Sequence, residues 1–259
     1  MTALLLAAGL VGAASIAYTR RWRAASDAGA WHLASFLTGM LTFMAAQGPL
    51  FVLAEERSSV AHVAVLILTI HVAPFFVVRA VTPDILGNAA EGFAGAMRRV
   101  PVAVPLVCLA VVAYGWHLPP LFEAAARDVF LGTLQHVSFV LVGLLAWLPI
   151  CGHPDLRPTL QGLTAFLYMT GDELILGALG IVLTWAPNPL YEIYLDAPRL
   201  WDLSAHTDQM LSGAILTAVE EAPMAVALGI VFIRMLDHDE AAARERERSG
   251  ASTTPDSYG

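Results

Sequence analysis

The chain contains no lysine: all 14 of its basic residues are arginine, set against 22 aspartates and glutamates in 259 residues. Charged residues of both signs reach only 14% while 57% of the chain is hydrophobic, and the mean hydropathy is +0.65. So little charge excludes a soluble domain and leaves a polytopic membrane protein. The net charge of -8 keeps nucleic acid off the list of expected partners. It says little more, because the charges of a membrane chain are divided between two aqueous faces. Cysteine is almost absent. Cys108 and Cys151 are too few and too poorly placed for a disulfide framework or a C-x-x-C pair, so any metal chemistry must use nitrogen and oxygen ligands. Also missing is any H-x-x-x-H or E-x-x-H within one apolar segment, so no single helix spells out a site. Finally, no basic residue precedes the first apolar run, whereas Thr19-Arg20-Arg21-Trp22-Arg23 follows it. That is the reverse of the charge order of a cleaved secretory signal, and the run is read as a span.

What is present is a series of long apolar runs, predicting spans over residues 2–18, 31–53, 60–81, 102–116, 129–150, 160–185 and 210–236. Runs this long must satisfy their backbone internally in lipid, and they lack the alternation of barrel strands. The expected fold is all-α, a polytopic seven-helix bundle in the lipid bilayer. Placing Arg20, Arg21, Arg23, Arg79, Arg98, Arg99, Arg157, Arg234, Arg244, Arg246 and Arg248 on one side leaves only Arg57, Arg127 and Arg199 on the other. By the positive-inside rule the N-terminus is expected outside and the C-terminus in the cytoplasm. Residues 1–236 form the expected transmembrane domain, and 237–259 a cytoplasmic tail that begins as a frayed helix end and continues disordered.

Ionisable side chains inside these runs are the pointer to function, since each costs on the order of 3 kcal/mol at the bilayer centre even on the lenient insertion scale. Counted by depth, His71 lies mid-membrane on the third span, and Asp172 and Glu173 do so on the sixth. Glu220 and Glu221 lie in the outer-to-middle part of the seventh, and His136 sits nearer the outside on the fifth. A second layer at the outer rim comprises His62, His117, His206 and Asp208. A histidine on an apolar helix is often a packed side chain bonded to a neighbouring carbonyl, and that reading stands beside a ligand role for His62, His32 and His206. Adjacent Glu220 and Glu221 point ~100° apart, so both border an internal cavity only if it is broad or one acid is protonated. Imidazole suits copper, zinc or iron, and carboxylates extend the range toward iron, manganese and zinc; the same groups can relay protons. The helically spaced Met40 and Met44 are read as packing residues. In the loop 186–209, Tyr191, Tyr194 and Trp201, together with the preceding Trp185, are read as interface anchors, with covering of the outer mouth as the alternative.

Three blocks carry a family resemblance. They are His62 to His71-Val-Ala-Pro74; Trp116-His117-Leu-Pro119 through Gln135-His136-Val-Ser-Phe139 to Trp147; and Pro189-Leu-Tyr191 through Ala197-Pro198-Arg199-Leu-Trp201 to Asp208-Gln209-Met-Leu-Ser-Gly213. In order and spacing, over approximately residues 30–236, the chain resembles the polytopic cytochrome c oxidase assembly factor CtaG family. The resemblance implies a multi-pass protein of the bacterial plasma membrane that helps mature a copper-containing heme-copper oxidase, handles copper on the outer side, and meets the oxidase subunits as partners. It also has departures. Where the family pattern has a second histidine four residues after the one matching His62, and another four before the one matching His136, this chain has Leu66 and Gly132. Gln135 stands for an acid, and Thr217, Ala218, Val219 and Glu220 replace a Trp-x-Pro-Gly run.

Two functions follow as expectations. The first is a non-enzymatic assembly factor that binds copper among His62, His117, His136 and Asp208. The second is a divergent branch in which His71, Glu173, Glu220 and Glu221 hold a metal, iron or zinc among the candidates, for membrane redox chemistry or for proton or metal-ion translocation. The oligomeric state is left open by the sequence.

Overall fold

The structure, a computed structural model, describes residues 2–48, 57–199 and 202–251. Among them there is no strand. Helix α1 (Thr2–Ala24) is followed by α2 (Ala30–Gln47) and α3 (Ser59–Ala80). Two short helices, α4 (Pro83–Leu86) and α5 (Ala90–Arg99), lead into α6 (Ala103–His117) and α7 (Pro119–Arg127). Then come α8 (Val129–Cys151), α9 (Gly162–Trp185) and α10 (Ala205–Ala251). Among the described residues, α3, α8 and α9 are each long and apolar enough to cross a membrane. A fourth crossing arises if Pro83–Arg99 and Ala103–His117, bent by 86°, count as one broken span. Helix α10 runs without interruption past residue 236, where the expected last span ends.

The helices expose apolar side chains outward, with Val111, Leu141 and Leu174 at 60% or more, as lipid-facing surfaces do. Inside, Val63, Leu66, Ile70, Leu109, Phe139, Leu176, Leu183 and Leu216 form one buried core shared by α3, α6, α8, α9 and α10. Close approach is built on small residues. A Cβ on Gly180 would sit 2.7 Å from the Gly213 carbonyl oxygen, and Gly213 faces Thr184 in return, so α9 and α10 touch backbone to backbone. Likewise a Cβ on Gly143 of α8 would strike the Ile70 carbonyl and come 2.8 Å from the Pro74 ring.

That last contact marks a break in α3. Pro74 has no N–H to offer the Ile70 carbonyl four residues earlier. The helix responds over Leu68–Val72 by widening to a π turn, in which the Ala73 N–H reaches back five residues to the Leu68 carbonyl. Such turns are rare and cluster at functional positions.

The face that the sequence reading assigns to the cytoplasm is tied by arginines acting on helix C-termini. Arg21 donates to the Ile85 and Leu86 carbonyls at 2.9 Å each, and buried Arg157 donates to Met97 and Val100 at 3.2 Å each. A guanidinium satisfies orphan carbonyls and favours the negative end of the helix dipole. Tyr18 adds a stack on Phe36, 3.8 Å between centroids, and donates to the Ala80 carbonyl at 2.8 Å.

A roofed histidine pair as the candidate site

His62 enters from the first turn of α3, whose N-terminus is capped by the Ser58 hydroxyl accepting the Ala61 N–H. His117 is the last residue of α6, where Pro119 starts the next helix. His136 lies in the second turn of α8. All three are buried, and the His62 and His117 rings stand 5.5 Å apart at 67°. His136 is near enough to act on the charge of His62, as His117 is.

The ring nitrogens are sorted by their partners. His117 Nδ1 lies 2.7 Å from the Ala113 carbonyl and His136 Nδ1 lies 2.8 Å from the Gly132 carbonyl. A carbonyl only accepts, so Nδ1 carries the proton and Nε2 carries the lone pair in each neutral ring. This is the arrangement that readies an imidazole as a ligand. His117 Nε2 and His62 Nε2 are both buried and have no hydrogen-bond partner among the described residues. Buried polar atoms are rarely left so, and two on facing rings fit a nitrogen-seeking ion. The neighbouring Gln135, which replaces the acid of the resembled pattern, also buries an amide nitrogen without such a partner.

A roof covers the pair. Phe122 of α7 lies 4.9 Å from the His62 ring and stacks on Tyr191 at 3.8 Å and 22°. Tyr191 donates its hydroxyl to the His117 carbonyl at 3.1 Å. The strand of loop carrying it is clamped at both ends: Gln209 Oε1 accepts the Leu190 N–H at 2.6 Å, and Glu123 Oε1 accepts the Ile193 N–H at 3.1 Å. Of the loop aromatics, Tyr191 and Tyr194 are therefore buried at 2% and 5% as a cover, which corrects the expectation of interface anchoring for them. Trp185 is 80% exposed, as an anchor would be, and Trp201 lies outside the described residues.

The other candidate residues are placed differently. Asp208 is buried, but its Oδ1 accepts the Ser58 hydroxyl at 2.7 Å and its Oδ2 the Ser59 N–H at 2.6 Å. It thus braces α10 against the N-terminus of α3. His206 lies within 3.0 Å of the Ala186 carbonyl. In the inner layer, the π turn of α3 sets His71 Nδ1 3.9 Å from Asp172 Oδ2, both buried, with Trp147 edge-on to the His71 ring. The acid beside His71 is Asp172, while Glu173, one position and ~100° further round α9, is half-buried. Glu220 and Glu221 belong to α10, and their side chains lie outside those described. Among the described residues no three His, Cys, Asp or Glu side chains converge closely enough to hold one metal ion.

Phe122 and Glu123 escaped sequence reasoning, and Gln209 was read only as part of the Asp208-Gln209 block, with no role of its own. The only signal for them was proximity to Pro119 and to the Asp208-Gln209 block.

A helical bundle with apolar spans, enclosing imidazoles under an aromatic cover, defines a membrane protein with a buried histidine pair. The particular chain belongs to the cytochrome c oxidase caa3 assembly factor family, Caa3_CtaG, whose family model matches residues 15–238. No curated protein and no solved structure gives a significant match.

Proposed function

We propose that this protein receives copper on the outer side of the bacterial plasma membrane and passes it to a maturing cytochrome c oxidase. The seven-span topology, with N-terminus outside and C-terminus in the cytoplasm, is part of this reading and rests on the arginine distribution. The observation that carries it is the pair of buried Nε2 atoms of His62 and His117, without a hydrogen-bond partner among the described residues, in a chain of an oxidase assembly family. Copper accepts imidazole readily, and here it is cargo, not a resident cofactor. A donor set of only two rings suits an ion that has to leave again. Asp208 is left to its bracing role.

The test is the copper content of the full chain purified in detergent, alongside the amount of assembled oxidase in the same membranes. His117→Ala and His62→Ala are expected to lose copper and lower oxidase while the protein persists in the membrane. Equal copper in wild type and both variants would remove this reading.

A second reading, in which an inner His–carboxylate site serves redox chemistry or proton or metal-ion translocation, is supported by one observation. The π turn delivers His71 to Asp172 at mid-bundle. It predicts that Asp172→Asn abolishes activity in the membrane while copper content stays unchanged.

A further inference from the structure

A cavity of about 10 Å³ lies next to the inner pair, lined by Ala146, Trp147, Ile150, Tyr168, Met169 and Asp172. Trp147 is 3% exposed, and its indole Nε1 has no hydrogen-bond partner among the described residues. An indole N–H can only donate, and a buried donor left without an acceptor forfeits the hydrogen bond it had to water in the unfolded chain. The Tyr168 hydroxyl does not relieve it, because it donates to the Ala146 carbonyl at 2.9 Å. On the same cavity wall is Asp172, whose carboxylate can accept roughly four hydrogen bonds, so its contact with His71 leaves it able to accept from a further donor in the cavity.

From this we infer that the cavity is a binding site for a single water molecule, which accepts from Trp147 Nε1 and donates to the Asp172 carboxylate. The chemistry selects the occupant. A metal cation would be repelled by the indole N–H, and an anion by the carboxylate. Water alone offers both a lone pair and a proton at that size, and ~10–15 Å³ is the room one molecule requires. The water gives the Asp172 carboxylate a hydrogen bond besides its 3.9 Å contact with His71. The inner pair is then a hydrated unit of α3, α8 and α9 and not a sealed contact.

The experiment is water-to-protein cross-relaxation measured by nuclear magnetic resonance on the full ¹⁵N-labelled chain in lipid nanodiscs. Trp147→Phe identifies the Trp147 indole resonance by its disappearance. In wild type that proton should show a rotating-frame cross peak to water. Ala146→Val, which fills the cavity, should abolish the peak while the indole resonance persists. Tyr168→Phe removes the exchangeable hydroxyl that could relay magnetisation, and the peak should survive it. No peak in wild type, a peak that persists in Ala146→Val, or one lost in Tyr168→Phe overturns the proposal. If Ala146→Val fails to fold, wild type and Tyr168→Phe still decide.

Discussion

The outer and inner layers of this bundle both bury histidine, and they treat it in opposite ways. Outside, His62 and His117 face each other with Nε2 atoms that have no hydrogen-bond partner among the described residues, under a cover of Phe122 and Tyr191 held by hydrogen bonds from separate elements. Inside, His71 is placed beside a carboxylate by a π turn, and Trp147 lines the adjoining cavity. An unsatisfied pair is expensive to keep folded, and that cost is what supports placing the proposed cargo there. A compensated pair is affordable without any ligand, so its presence alone argues less for cargo. The difference teaches that a histidine's depth says less about its task than what its second nitrogen is doing.

The sharpest way to break the comparison is to remove outer and inner groups separately. His117→Ala should weaken copper binding by more than ~100-fold, beyond the loss usual for merely supporting residues, whereas Asp172→Asn should leave it intact. Equal losses in the two variants, read by competition with a copper chelator, would erase the distinction between layers.

Next in size is Gly143→Ala. Its new Cβ meets the Ile70 carbonyl, which is backbone and cannot swing aside, so the π turn has to shift. Overpacking of this kind typically costs about 1–3 kcal/mol. Denaturation should show that loss with copper content preserved. An undisturbed midpoint would mean that α3 and α8 are not pressed together as described.

Tyr191→Phe tests the roof alone. It removes the bond to the His117 carbonyl, worth about 1 kcal/mol, and leaves the stack on Phe122. Transfer of bound copper to a chelator should quicken by roughly 5-fold, the factor that energy allows, with the equilibrium amount bound little changed. A transfer rate identical to wild type would show that the loop does not control access.

The smallest effect belongs to the exposed loops. Asp84 is held below its ordinary value of 3.8, first by the Ser26 hydroxyl at 2.6 Å and then by the Ser26 backbone N–H. A carboxyl with a depressed folded-state value adds stability above its unfolded value and loses it as pH falls through the folded one. Ser26→Ala should therefore be slightly less stable than wild type near neutrality, and the two should converge between about pH 4 and pH 2. A constant gap across that range would refute the role given to Ser26.

Sequence reading located α3, α8 and α9 to within two residues at each end, since continuous apolar runs leave lipid-exposed backbone no alternative to helix. It also singled out His62, His117 and His136 as candidates, and the structure sets the first two rings 5.5 Å apart. It chose Glu173 where Asp172 meets His71, because depth is shared by adjacent residues and facing is not. Facing depended on a π turn whose sole trace in the sequence is Pro74, four positions after Ile70. The roof was harder still: Phe122 and Tyr191 meet across dozens of residues, and no periodicity connects them.

Gly132 closes the story of the departures from the resembled pattern. Its missing side chain is already occupied territory, for a Cβ there would lie 2.9 Å from the Ala125 carbonyl at the end of α7, and its own carbonyl orients His136. Restoring a histidine at that position would not hand back a ligand. It would pry α7, and with it Phe122, off the site, so Gly132→His should lower copper content instead of raising it. Backbone of α7 occupies the space that a larger side chain at position 132 would need, so the histidine of the resembled pattern does not fit this fold as it stands.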